Sequence, residues 1–265
     1  QNYSYFIITQ NMKKNVMKKW LSAAAVVVAI GIGTLYYYFF SAMSADGTTQ
    51  YVYIDDDDNI DSVLTKVSAV SNAHAMSAYT LLAKHSAYAE HVRTGRYAIN
   101  GSNGALVTFR HMKNGLQTPV NLTVPSVRTT DRLAAELSKK LMLDSAAISH
   151  ALKDEAVCQK YGYDTATIAC MFIPNTYDIY WNTSIDHLLE RMQKESKRFW
   201  NAERTKKAAD MKLSPVQVIT LASIIDEETA NNDEKPMVAG MYYNRLMLRN
   251  AEYPNGMPLQ ADPTI

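Results

Sequence analysis

From Trp20 to Met43 the chain reads WLSAAAVVVAIGIGTLYYYFFSAM, without one charged residue, and beyond it apolar residues recur in short runs of changing period. About 20 apolar residues suffice to cross a bilayer core, so the uncharged run predicts a membrane-spanning helix. After the polar linker SADGTTQ (44–50), YVYI (51–54) alternates and predicts a strand. DDDDNIDSVLTKV (55–67) supplies a turn and a helix start, a second helix is expected over Ala75 to His91, and RTGRYAI (93–99) gives a Gly turn and another strand. Strand, two helices, strand makes a compact module, closed by a further helix near ALVTFRHMKNG (105–115). A new segment opens at QTPVNLTV (117–124), where Val120, Leu122 and Val124 alternate. Thr129 or Thr130 then caps a helix with Leu133, Leu137 and Leu141 at helical spacing, and another follows over Asp144 to Lys153. CMFIPNTYDIYWNTS (170–184) breaks the helical pattern and predicts a loop-rich segment. A long polar helix is expected from Ile185 to Met211. The implied fold class is α+β: one N-terminal transmembrane helix, a small α/β module and a larger mixed domain.

Composition narrows this picture only slightly. The 265 residues are 47% hydrophobic and 20% charged, enough to bury a core, and the net charge of +1 gives no bulk attraction to nucleic acid. Lys13, Lys14, Lys18 and Lys19 precede the uncharged run, which predicts a cytoplasmic N-terminus and an external remainder. Trp20 and Tyr36 to Tyr38 suit the two membrane interfaces. A cleaved signal peptide is the alternative, but the run is long for one and SAMSADG (41–47) is an imperfect cleavage site. The chain begins without Met, and Met12 or Met17 reads as the natural start. The four aspartates of DDDDNIDSVLTKV do not make an EF-hand. Gly is missing from the sixth position and Lys66 stands where the twelfth-position Glu belongs, so the acids read as a complement to a helix N-terminus. Cys158 and Cys170 are both on the expected outer side, where a disulfide and two free thiols are each open. Scattered histidines without HExxH, and no CxxC pair, give no expectation of a catalytic metal or other cofactor.

The stretch LSPVQVITLASIIDEETA (213–230) carries the candidate chemistry. Ser214 is a good N-cap, Pro215 sits at the first helical position and Gln217 completes a capping box. With the start fixed, at about 100° per residue Leu221, Ile224 and Ile225 all fall within about 60° of Glu228. Asp226 lies about 160° from Glu228 and Glu227 about 100°. Glu228 thus continues the apolar stripe, while Asp226 points away and Glu227 lies on the flank. A carboxyl on a buried face keeps its proton to higher pH, which suits a general acid. Pairing of Glu228 with Arg245 is the structural alternative.

Together with MYYNRLMLRNAEYPNGMPLQADPTI (241–265), this stretch resembles the core of the endolytic murein transglycosylases, the MltG/YceG-like family. The matching pieces are IIDEET (224–229), NRL (244–246) and LQADPT (259–264), in order and at plausible spacing. FIPNTYDIYWNTS (172–184) is similar to the family's Phe-x-Pro-Asp-Thr-Tyr segment, with Asn175 in place of the aspartate and Ala169 and Cys170 in place of an acidic-glycine pair. GRYAI (95–99) resembles a strand of its membrane-proximal LysM-like module. The resemblance implies segments at 1–19 (cytoplasmic), 20–43 (transmembrane), 44–115 (LysM-like) and 116–265 (catalytic). Because the family's domain runs past its Asp-Pro-Thr motif, the catalytic domain is expected to be incomplete and poorly active.

By the same resemblance Glu228 is the catalytic acid, and Asn244, Gln260, Asp262 and Tyr177 are expected to shape the substrate groove. Scaffolding remains open for Asn244, Gln260 and Asp262, and core packing for Tyr177 and Trp181. Arg245 is expected to pair with an acid. The implied reaction cuts the β-1,4 bond between N-acetylmuramic acid and N-acetylglucosamine in nascent peptidoglycan strands, leaving 1,6-anhydro ends. The expected partners are glycan strands, the cytoplasmic membrane of a bacterium and the peptidoglycan synthases, with no nucleic acid. A non-catalytic wall-binding membrane protein is the alternative; a peptidase would need a Ser/His/Asp or Cys/His set that the sequence does not offer.

Overall fold

The computed structural model describes residues 2–127 and 129–261, with side-chain surroundings from Met17 onward. It is mixed α+β, with helices predominating and two small antiparallel sheets, and it divides into units Gln1–Thr118 and Pro119–Ile265. Helix α1 (Asn2–Phe40) takes in the uncharged run only as far as Phe40, three residues short of the expected end at Met43, and its stretch Met17–Phe40 is long and apolar enough to cross a membrane. Trp20, Val27 and Ile30 are bare, as on a helix that is apolar all round. The far end is tied to its own unit. The Tyr37 ring stacks on His74 at 4.3 Å, and Ser41 Oγ lies 2.7 Å from His74 Nε2. Asn72 donates to the carbonyls of Ala42 (3.0 Å) and Ser44 (2.7 Å), and the Met43 N–H donates to the Asn103 carbonyl at 2.8 Å. Gly104 is required here, because a Cβ would fall 2.6 Å from the Phe39 carbonyl oxygen.

The first unit continues as strand, two helices, strand: β1 (Gln50–Ile54), α2 (Ile60–Ser68), α3 (Ala73–Lys84) and β2 (Gly95–Ile99), followed by α4 (Ala105–Asn114). β1 and β2 pair with Val52 opposite Tyr97. Val52, Ile54, Tyr97 and Ile99 face inward against Val63, Tyr79 and Met112 of the helices. Asn59 starts α2 by accepting from the N–H groups of Asp61 and Ser62. The acidic run meets a cation of the same helix: Lys66 pairs with Asp55 at 2.8 Å and with Asp58. The second helix is shorter than expected. It ends at Lys84, after which Ser86 caps a single 3-10 turn, Ala87–Ala89.

The second unit opens with β3 (Val120–Val124), α5 (Thr130–Ser138), α6 (Ser145–Lys153) and α7 (Glu155–Lys160). Side chains of Thr129, Asp144 and Asp154 cap the three helices in turn, and Asp154 thereby separates α6 from α7. The segment expected to be loop-rich contains a strand, β4 (Asn175–Ile179), paired antiparallel with β3 so that Leu122 faces Tyr177. Its alternation is only five residues long and is framed by Pro174 and polar turn residues, which hid it. The single helix expected from Ile185 to Met211 is two: α8 (Ile185–Phe199) and α9 (Ala202–Asp210). Trp200 leaves helical geometry at ψ 60, and Asn201 starts a new helix by accepting from the Arg204 N–H at 2.9 Å. Leu122, Leu137, Leu152, Ile168 and Leu188 anchor the core among these elements. Cys158 is buried and Cys170 half-buried, and both are free thiols rather than a disulfide.

Candidate functional site

Helix α10 (Pro215–Glu228) begins where its capping box places it: Ser214 Oγ accepts from the Gln217 N–H, and the Gln217 side chain accepts from the Ser214 N–H at 2.8 Å. A short polar turn then leads into α11 (Lys235–Met247). The two helices share a small apolar cluster of Leu213, Leu221, Ile225 and Tyr242. The chain after α11 folds back onto it. The Met257 N–H donates to the Arg245 carbonyl at 3.0 Å, the Arg245 guanidinium donates to the Leu259 carbonyl, and Leu259 and Ala261 pack on the cluster. Gly256 makes this return possible at φ 107, where a Cβ would also meet the Leu246 carbonyl oxygen at 2.8 Å. The pieces IIDEET, NRL and LQ are therefore held on one cluster, while Asp262 lies outside the described residues.

The acids at the end of α10 differ from their expected surroundings. Glu228 is exposed rather than buried. Glu228 is the last helical residue, so the apolar stripe runs off the packed pair before reaching it. Asp226 is exposed yet engaged: Lys235 of α11 donates to it at 2.5 Å. That bond, aided by the nearby cation and a hydrogen bond from Ser126, outweighs partial burial and holds the Asp226 carboxyl below the usual carboxylate range. Glu227, expected on the flank, lines a groove.

The other expected site residues are spread out. Asn244 and Gln260 are exposed, Gln260 at a left-handed φ of 53. Tyr177 is not presented to solvent: it is 6% exposed in the β3–β4 core, and its hydroxyl donates to the Ile173 carbonyl at 2.7 Å. Burial pushes that hydroxyl's pKa up. A side chain on β4 that pairs with Leu122 points into the core, which the missed strand concealed. Trp181 is half-buried against the same core. Arg245 was expected to meet an acid; among the described residues its guanidinium holds the Leu259 carbonyl. Among the described residues no group of three His, Cys, Asp or Glu side chains stands close enough to hold a metal ion.

The groove, of about 260 Å³, runs along α10. One wall is Thr220, Ser223, Ile224 and Glu227, spaced i, i+3, i+4, i+7, a second stripe of α10 that was readable in the sequence but masked by the stronger apolar one. The opposite side comes from Ser126 and Val127 after β3 and from Ala169, Cys170 and Phe172. Cys170 Sγ stands 4.0 Å from Thr220 Oγ1, and burial pushes the thiol's pKa up, so it is a neutral lining group rather than a nucleophile.

The model of the YceG-like family matches residues 52–265. The chain belongs to that family. Among curated relatives, this YceG-like chain is 29% identical over 84 residues to an endolytic murein transglycosylase of Bacillus subtilis, covering 32% of the chain and 21% of the relative. It is 25% identical over 236 residues to the endolytic murein transglycosylases of two Streptococcus pneumoniae strains, covering 78% of the chain and 40% of each relative. The chain thus spans well under two thirds of the curated relatives it matches. A solved structure of a putative YceG-like protein from Listeria monocytogenes is 21% identical, with a TM-score of 0.47 over 82% of this chain and 74% of that one.

Proposed function

We propose that this YceG-like protein is a membrane-anchored lytic transglycosylase that cuts the β-1,4 bond between N-acetylmuramic acid and N-acetylglucosamine within nascent peptidoglycan strands. The observation that carries the reading is the α10–α11 cluster, which holds the acid motif, the Asn-Arg-Leu motif and the returning Leu-Gln segment together, with Glu228 open to a polymer at its edge. Relatives of the same family bear the name of the activity. In this reading 1–19 is cytoplasmic, 20–43 spans the bacterial membrane, 44–115 is a LysM-like module and 116–265 is catalytic, working beside peptidoglycan synthases.

The chemistry needs one carboxyl where ordinary glycosidases use two. Glu228 donates its proton to the glycosidic oxygen as the bond to the anomeric carbon breaks. The resulting carboxylate accepts the proton of the muramoyl 6-hydroxyl, whose oxygen closes on the anomeric carbon of its own ring. Because the attacking oxygen is tethered to the reacting sugar, proximity replaces a second protein group. Glu228 is in water before substrate arrives, and a glycan laid across the end of α10 excludes that water and strengthens the interaction. Asn244, Gln260 and Asp262 are assigned to holding the strand; Tyr177 supports the groove from within the core.

Digestion of peptidoglycan with the purified protein and its Glu228→Gln variant tests the reading. Anhydromuramoyl products should fall by about 10²- to 10⁴-fold in the variant, the range for loss of a general acid–base. Equal product from both proteins sinks the assignment of Glu228; no product from either leaves wall binding as the better account.

A further inference from the structure

We propose that the corner between α8 and α9 is a contact surface for anionic lipid headgroups, by which the second unit touches the membrane that the chain's own span enters. This inference rests on the anchored reading of that span. From Lys194 to Lys212 the chain carries seven basic residues against three acids, a larger positive excess than the net charge of the whole protein. The acids are already engaged. Glu203 pairs with Lys207 and Asp210 with Lys206, both at 2.7 Å, and Glu195 pairs with Arg191 at 2.9 Å. Among the described residues no ion pair engages Lys194, Lys197, Arg198 or Lys212. Lys194, Lys197 and Arg198 are exposed at i, i+3 and i+4 on the last turns of α8, so they form one basic stripe. Beyond the corner, α9 is exposed at every residue except Ala208.

Two large rings sit among these cations. Phe199 and Trp200 meet edge to face, with centroids 5.4 Å apart and planes at 87°. The Arg204 guanidinium lies over the Phe199 ring at 4.3 Å and donates to the Phe199 carbonyl at 2.9 Å. Both rings are only half-buried, and among the described residues neither belongs to an apolar cluster of the fold. Packing therefore gives no reason for a Phe and a Trp at this corner. Aromatic rings settle at the headgroup level of a bilayer, and Lys and Arg beside them are drawn to anionic phosphates. A soluble polyanion would match the cations but offers the rings no apolar layer. The span on the same chain keeps a lipid surface at high local concentration, so even a weak contact is populated.

The test uses the full chain in vesicles of phosphatidylcholine alone and of equal parts phosphatidylcholine and phosphatidylglycerol. Each is also made with brominated acyl chains, which quench nearby indoles. Flotation with the vesicles reads insertion of the span. The share of Trp200 is the emission lost in Trp200→Phe, which leaves Trp20 and Trp181 in place. Brominated lipid should quench that share severalfold more on the anionic vesicles than on the neutral ones. Added salt should release it, since the screening length shortens to about 3 Å near 1 M. A basic residue beside an anionic surface is worth about fivefold in affinity. Lys197→Glu combined with Arg198→Glu should therefore bring the quenching down to its level on neutral vesicles, with flotation and thermal unfolding unchanged. Lys197→Arg combined with Arg198→Lys keeps the charge and should keep the quenching. Equal quenching on both vesicle types, no effect of charge reversal, or no quenching in a chain that floats overturns the inference and leaves the anchored reading intact. Absent quenching together with polyphosphate binding that charge reversal abolishes also overturns it, and gives the patch to a soluble polyanion. A chain that does not float overturns the anchored reading, and the lipid contact with it.

Discussion

The β3–β4 core and the α10–α11 pair belong to the same unit but are built on different scales. Around the sheet, Leu122, Leu137, Ile148, Leu152 and Ile168 are sealed from solvent by helices on several sides. In the helix pair only Tyr242 is sealed to the same degree; Leu221 and Ile225 keep 7% and 9% of their surface, and most of their neighbours are half-buried. The acids sit on the thin element. A carboxyl that must meet a polymer has to remain near water, and a deep core cannot offer that position. The sheet region supplies rigidity, and the groove forms where the two regions meet.

Truncation experiments measure this difference in scale. Leu137→Ala should cost about 2–5 kcal/mol in urea unfolding, because the cavity left in a sealed core cannot collapse. Leu221→Ala should cost about 1–2 kcal/mol, since its site already borders solvent; an equal loss at both positions would remove the contrast. Tyr177→Phe deletes the hydroxyl bond to Ile173 and should cost about 1 kcal/mol while glycan cleavage changes little. A large loss of cleavage with normal stability would return Tyr177 to the substrate.

The smallest effect is expected at Asp226. Asp226→Asn should cost below about 1 kcal/mol, since the pair with Lys235 is substantially exposed. The sign of its pH dependence follows from the lowered pKa of Asp226. The stabilisation is fully present above the unfolded pKa, about 4, and is lost as pH falls through the lower folded value. Between neutral pH and acid, wild type should therefore lose slightly more stability than Asp226→Asn. Identical acid profiles would mean that the ion pair is broken in solution.

Much of the fold was legible wherever a strong period coincided with a capping residue. Ser214, Pro215 and Gln217 located the start of α10, and alternation located β1 and β3. β4 escaped because five alternating residues surrounded by Pro174 and aromatic turn residues give a weak signal, and its partner lies some fifty residues away in sequence. That omission carried Tyr177 into the wrong environment. The capping strength of Asn201 was likewise outweighed by an unbroken polar stretch, so α8 and α9 read as one helix. At the candidate site, phase put Glu228 on the apolar stripe but could not give its depth, because azimuth says nothing about where a packed neighbour stops. The second stripe, Thr220 to Glu227, was spaced for a groove, yet its small polar residues resemble any solvated helix face until the opposite wall is known.

The junction at Phe39 to Met43 leaves no slack between the long N-terminal helix and the body that follows it. Asn72 grips the chain on both sides of Met43, and Gly104 lets two backbones touch. With α1 in a bilayer, the first unit therefore cannot swivel on a tether; it leans when the helix leans. Membrane helices tilt by about 20° on average, and such a lean raises one edge of the first unit and lowers the other. In the anchored reading, bilayer thickness would then set the lean of the first unit, making the membrane itself a gauge of its posture.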